Sequence, residues 1–141
     1  MGKIKFLLDT NILSEPLTKS PHPSVMAHIE RHAEEIALSA ISWQEMLFGM
    51  YRLTEGKRRQ QIAEYLYHCI LDVLPMLPFD QAAAAWQAKQ SAHLVARGLT
   101  PSYADTQIAA IAASNDLILV TRNTQDFDGF DLTVENWFEQ N

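Results

Sequence analysis

The stretch "KFLLDTNIL", Lys5 to Leu13, sets three large apolar residues, Phe6-Leu7-Leu8, directly against Asp9-Thr10-Asn11. This short apolar run, with Ile4 before it and Lys5 the one charge in the span, predicts a buried strand over Ile4 to Leu8. Beyond a plain surface turn, a buried strand that ends on a carboxylate and two small polar residues has two readings. Either Asp9 caps a helix, or it holds a negative charge rigidly at the end of a sheet.

The rest of the chain supplies the context for that strand. Ser24 to Glu34 is amphipathic and predicts a helix, and Ile36 to Ile41 predicts a second strand. Trp43 to Leu53 and Arg58 to Leu71 predict helices on either side of the break at "EGKRR". Val73 to Phe79, interrupted by Pro75 and Pro78, suits a short edge strand. Alanine-rich Gln81 to Ala96 predicts a helix stopped by Gly98, and Tyr103 to Ser114 predicts another with Ile108, Ile111 and Ala112 facing inward. Leu117 to Val120 is the clearest strand after the first, and Leu132 to Val134 is a weaker fifth. Strands alternating with helices imply an α/β fold, a parallel sheet of about five strands flanked by helices on both faces. In such sheets ligands bind beyond the carboxyl ends of the strands, where Asp9 lies.

The chain has 141 residues, of which 48% are hydrophobic and 20% charged, enough for one globular domain over 1–141 without staples. No apolar run approaches the roughly 20 residues that cross a bilayer, and no signal peptide opens the chain, so a cytoplasmic protein without membrane contact is expected. Cys69, the single cysteine, excludes an internal disulfide, and its helical spacing with Leu66, Ile70 and Val73 predicts a buried thiol. His28 and His32 stand four apart, but no third ligand accompanies them, and a solvated helix face is the expectation. A net charge of −6 argues against indiscriminate nucleic-acid coating, unless several carboxylates are gathered around cations that offset them.

Three further stretches place an acid three residues after a capping residue: Ser42 to Glu45, Ser102 to Asp105 and Asn123 to Asp126. Each alone reads as an ordinary capping box. Together with Asp9 they read differently, because the ends of strands one, two and four and the neighbouring helix starts share one rim. Two such charges about 4 Å apart repel by roughly 4 kcal/mol at an effective dielectric of 20. Some must take up protons, or divalent cations must bind. Oxygen ligands without histidine or cysteine select Mg²⁺ or Mn²⁺ over zinc. A metal so held can activate water against a phosphodiester.

At these residues the chain resembles a family. "LLDTNIL", "SAISWQEMLFG", "GLTPSYADTQIAAIAASNDLILVTRNTQDF" and "VENW" are similar to PIN-domain proteins, and within them to the VapC-type toxins of bacterial toxin–antitoxin pairs. The resemblance spans about Ile4 to Trp137. It implies a metal-dependent endoribonuclease that cuts structured RNA, tRNA among the substrates, and inhibits translation. It further implies a homodimer held in check by a VapB-like antitoxin, with DNA contacted only through that antitoxin. The family's acidic quartet falls on Asp9, Glu45, Asp105 and Asp126, with Asp128 a competitor for the fourth place. Asp9 and Asp105 are expected to bind the principal ion. Glu45 would orient or deprotonate the attacking water or help hold a second ion, which Asp126 would support. Thr10, Asn11, Thr121 and Asn123 are expected to fix the carboxylates by hydrogen bonds.

RNA also needs a cation, and Arg122, between the fourth strand and Asp126, is the expected contact, ahead of the cluster Lys57-Arg58-Arg59. The stripe Trp43, Met46, Leu47, Met50 and Tyr51 reads as core, or as a groove for an antitoxin helix. Asn11 stands where a haloacid-dehalogenase phosphatase needs a second aspartate, and the acid pair of a response-regulator receiver is missing. No G-x-S-x-G, P-loop or G-x-G-x-x-G occurs, which disfavours triad hydrolases and nucleotide binders. The remaining rival is a module of the same fold that binds within an antitoxin repressor complex and does no chemistry.

Overall fold

The computed structural model describes residues 3–139. Five parallel strands make one sheet in the order β3-β2-β1-β4-β5: β1 is Phe6–Leu8, β2 Ile36–Ser39, β3 Met76–Leu77, β4 Ile118–Val120 and β5 Val134–Glu135. β1 lies in the centre, with Phe6 opposite both Ile36 and Ile118 and Leu8 opposite Val120. The short proline-flanked β3 is at an edge, as its missing donors require. The helices are α1 (Thr10–Leu13), α2 (Pro23–Arg31), α3 (Ala40–Tyr51), α4 (Lys57–Glu64), α5 (Gln81–Ala96) and α6 (Tyr103–Ser114). Short 3₁₀ turns cover Glu15–Leu17 and Thr124–Phe127, and α4 runs on into a wider π-helical segment over Tyr65–Leu71.

The pleat divides the central strands between two cores. Phe6, Leu8, Ile36, Leu38 and Val120 pack on one face with Ile12, Val25, Met46, Leu66 and Trp137. Leu7, Ala37 and Leu119 pack on the other with α5 and α6, whose Ile108, Ala109, Ile111 and Ala112 are 0–1% exposed. Helices therefore cover both faces, as alternation of strands and helices predicts. The glycine predicted to stop α5 does so: Gly98 takes φ +79°, its N–H reaches Val95 O, and the Leu99 N–H reaches Leu94 O at 2.9 Å. Among the described residues no helix is long and apolar enough to cross a membrane.

Several local expectations change. β2 ends at Ser39, not Ile41, because the Ser39 hydroxyl accepts the Ser42 N–H at 3.0 Å and starts α3 there. α2 begins at Pro23 and ends at Arg31, where His32 becomes its C-terminal cap. Cys69 is exposed, not buried. Leu66 and Ile70 still face the core, but each residue of a π-helix advances through a smaller angle, which carries Cys69 outward. His28 and His32 do not form a solvated face: both are half-buried and stack on Trp137 at 5.1 and 5.4 Å between ring centres. Of the α3 stripe, Met46 and Met50 are core, Trp43 and Leu47 pack against it, and Tyr51 is 57% exposed.

Candidate active site

Asp9 satisfies both readings of the opening stretch at once. Its N–H continues the β1 ladder to Val120 O at 2.9 Å, so the residue is fixed as part of the sheet. Its Oδ1 accepts the Thr10 N–H at 2.8 Å and caps α1. Its Oδ2 accepts the Thr121 hydroxyl at 2.9 Å. The carboxylate is 7% exposed. Burial raises its pKa first, the bonds from Thr10 and Thr121 pull it back, and the charges of Glu45 and Asp126 push it up again.

Thr121, at the end of β4, is the hub of the neighbouring polar groups. Its hydroxyl donates to Asp9 and accepts the Asn11 Nδ2–H at 3.3 Å and the Asn123 backbone N–H at 3.2 Å. Asn11 Oδ1 in turn accepts the Arg122 N–H at 3.0 Å. Thr10 does double duty, since its hydroxyl donates to Glu45 Oε1 at 2.7 Å. Of the four residues expected to fix carboxylates, Thr10 and Thr121 bond to one; Asn11 joins by its side chain, and Asn123 only by its backbone N–H. Asn11 and Asn123 act through Thr121, not on an acid directly.

The three other acids arrive on different supports. Glu45 is exposed, in the second turn of α3. The Ser42-x-x-Glu45 reading as a capping box fails: Ser39 is the cap, and Ser42 lies inside the helix, buried, with its hydroxyl unpartnered. Ser102-x-x-Asp105 is a genuine helix start, in which Ser102 Oγ accepts the Asp105 N–H at 3.4 Å and Asp105 sits half-buried in the first turn of α6. Asp126 is exposed in the 3₁₀ turn after β4, whose preceding Asn123 makes no side-chain cap bond.

These acids feel one another. The Asp105 carboxyl is pushed up to about 6 from 3.8, by burial first and then by Asp9, Asp126 and Glu45. Asp9, Glu45, Asp105 and Asp126 therefore lie within electrostatic reach of one another. The charge of Asp126, not that of its competitor Asp128, acts on both Asp9 and Asp105. Among the described residues none of the four has a cationic partner within 4.0 Å, although Lys5, His32, Arg59 and His68 pair with other acids. Nor do three His, Cys, Asp or Glu side chains there close into a cage that would enclose an ion alone. The donor set suits a hard cation bound by one or two carboxylates, with water and substrate oxygens completing the shell.

Arg122 is exposed at the expected rim, but its guanidinium lies over the Phe138 ring, 4.5 Å from the centre, and makes no ion pair within 4.0 Å among the described residues. Phe138 meets the His22 ring at 5.2 Å, and Asn136 Nδ2 donates to Arg122 O at 3.4 Å. Sequence reasoning did not find Ser39, Asn136 or Phe138. Ser39 was visible as a second serine three residues before Ser42; nothing in the sequence links Phe138 to Arg122.

A PIN domain family model matches residues 6–131. Toxin FitB of Neisseria gonorrhoeae is 36% identical over 133 residues, covering 92% of this chain and 96% of that protein. The VapC ribonuclease Y4jK of Sinorhizobium fredii is 34% identical over 136 residues, covering 94% and 97%. In the structure of FitAB bound to an IR36 DNA fragment, one chain matches with a TM-score of 0.89 at 34% identity, covering 96% of this chain and 97% of that one.

Proposed function

The chain belongs to the PIN-domain family, and from that premise we propose that it is a divalent-metal-dependent endoribonuclease, the toxin of a toxin–antitoxin pair. It hydrolyses phosphodiester bonds in structured RNA, with tRNA the favoured class, and so blocks translation. A VapB-like antitoxin neutralises it and supplies any DNA contact; the working form is a homodimer. The observation that carries the reading is a quartet of mutually repelling carboxylates, two of them with raised pKa values, that no cationic side chain among the described residues offsets within 4.0 Å.

Asp9 and Asp105 are the residues to hold Mg²⁺, with Mn²⁺ a substitute. With an ion held there, their repulsion would be offset, and the ion would supply Lewis-acid chemistry toward a phosphate and a water. Asp9 is prepared for this by Thr10 and Thr121, which hydrogen-bond one carboxylate oxygen each. Glu45, exposed and steered by the Thr10 hydroxyl, orients the attacking water or takes its proton. Asp126 stands on the open side, where it supports a second ion or its waters. Arg122 meets a phosphate next to the one that is cut.

Purified protein incubated with RNA and Mg²⁺ should cleave it, and EDTA should stop the reaction. Asp9→Asn should be inactive with an unchanged circular dichroism spectrum. Full cleavage by that variant would refute the site. RNA left intact by the wild type in Mg²⁺ and in Mn²⁺ would leave a binding module that acts only within an antitoxin complex. Arg122→Ala should weaken RNA binding more than Lys57→Ala does, and the reverse order in a titration removes Arg122 from the contact surface.

A further inference from the structure

Away from the carboxylates, basic charge is concentrated in one place. Four of the eleven lysines and arginines, Arg52, Lys57, Arg58 and Arg59, fall within eight residues at the elbow between α3 and α4. Exposed aromatic faces accompany them: Phe48 is 63% exposed, Tyr51 57% and Tyr67 38%. Two of the cations already lie on two of these rings, Arg52 over Phe48 at 5.5 Å and Arg59 over Tyr51 at 5.2 Å. Tyr51, Arg59, Gln60 and Tyr67 line a cavity of about 340 Å³ floored by Met50 and Ala63.

This patch is continuous with the acids. Glu45, Phe48, Gly49 and Arg52 are spaced by three and four residues and are all exposed, so they form one stripe along α3. Glu45 and Arg52 are seven residues, about 10 Å, apart along the helix axis. Gly49 lies on that stripe without an internal reason. It is inside a helix, where glycine is the poorest ordinary residue, its φ is not positive, and a Cβ would meet nothing within 4 Å. The absent side chain leaves room for something from outside this chain.

Building on the nuclease reading, we propose that the exposed α3 stripe and the α3–α4 elbow form the binding track for an unpaired segment of the RNA. Its bases stack on Phe48 and Tyr51, its phosphates meet Arg52 and Arg59, and its backbone passes close over Gly49 toward Glu45. Aromatic faces interleaved with cations are the chemistry of single-stranded nucleic-acid grooves. In a chain of net charge −6, this local excess of positive charge selects a polyanion over an acid-poor protein surface. Arg58 is partly committed, donating to Leu17 O at 3.0 Å, and Arg59 is 4.0 Å from the fully solvated Glu55, a contact that a phosphate can replace.

The test is the anisotropy of a fluorescein-labelled single-stranded RNA titrated with the Asp9→Asn protein and with second substitutions in that background, over a range of salt. Phe48→Ala should weaken binding about tenfold, and Phe48→Tyr should restore it. Arg52→Ala and Arg59→Ala should each flatten the salt slope by about 0.7, while Lys89→Ala, on α5, leaves it unchanged. Gly49→Leu should keep or raise the melting temperature yet abolish binding, a combination that misfolding cannot produce. If the parent binds RNA and these variants bind equally well, the track is wrong and the nuclease stands. If the parent neither binds RNA nor, with Asp9 restored, cleaves it, both fall. Variants that keep RNA affinity but lose a co-expressed antitoxin would assign the elbow to the protein partner and overturn the proposal.

Discussion

α3 and α6 both leave the same rim of the sheet with an acid near the start, yet they are built for different work. α6 is buried through Thr106 and Ile108 to Ala112, and holds Asp105 half-buried in its capped first turn. α3 buries only Ser42, Met46 and Met50, and leaves Glu45, Phe48, Gly49 and Arg52 to solvent. A carboxylate on the first support sits where its proton affinity is raised and where an incoming cation would relieve the repulsion. On the second it can follow a water or a phosphate. The difference is what the proposed division of labour rests on, with ion holding on the α6 side and proton handling on the α3 side.

The largest expected effect breaks the α6 side. Asp105→Asn should reduce RNA cleavage to background while the fold stays intact. Its stability should move the other way. The folded pKa of about 6 lies above the unfolded value, so the folded chain holds this proton more tightly, and the contribution to stability falls as pH rises from 3.8 through about 6. Metal-free Asp105→Asn should therefore melt a few degrees above the wild type at pH 7, with the gain vanishing below pH 4. Mg²⁺ should raise the wild-type melting temperature at pH 7 but not that of the variant. A wild type that melts higher than Asp105→Asn at pH 7 without metal would contradict the repulsion.

Glu45→Gln should fall next, by roughly 10²–10⁴-fold in kcat, with the Mg²⁺ concentration for half activity little changed. A large loss of metal affinity would instead make Glu45 a ligand and erase the contrast between the helices. Thr121→Val, which removes the hub between Asp9, Asn11 and Asn123, should cost about 10–100-fold in metal affinity or activity. The packing contrast is read by chemical denaturation: Ile111→Ala should destabilise by about 2–5 kcal/mol and Phe48→Ala by less than about 0.5. Equal costs would mean that the α3 face is not free.

The same contrast shows what can be read from residues alone. α6 was legible to its end residues, because its apolar period, its serine cap and the acid in its first turn all agree. α3 was not, because two serines three apart compete for its start. Capping is decided by which one ends the β2 ladder, a long-range fact. Cys69 departs from its expected burial because a 3.6-residue period does not hold where the segment widens into π geometry. The acids could be found because like charges at strand ends and helix starts are costly unless used. Phe138 and Asn136 could not, since their meeting with Arg122 depends on how the last strand returns along the sheet.

One rung of the central ladder has a further consequence. Because the Asp9 amide is tied to Val120 O, the carboxylate proposed to hold the metal is carried by the innermost pair of strands and not by a loop. Loss of activity on warming should then coincide with collapse of the whole domain, with no earlier local melting. In deuterium exchange, that amide should be among the last to open.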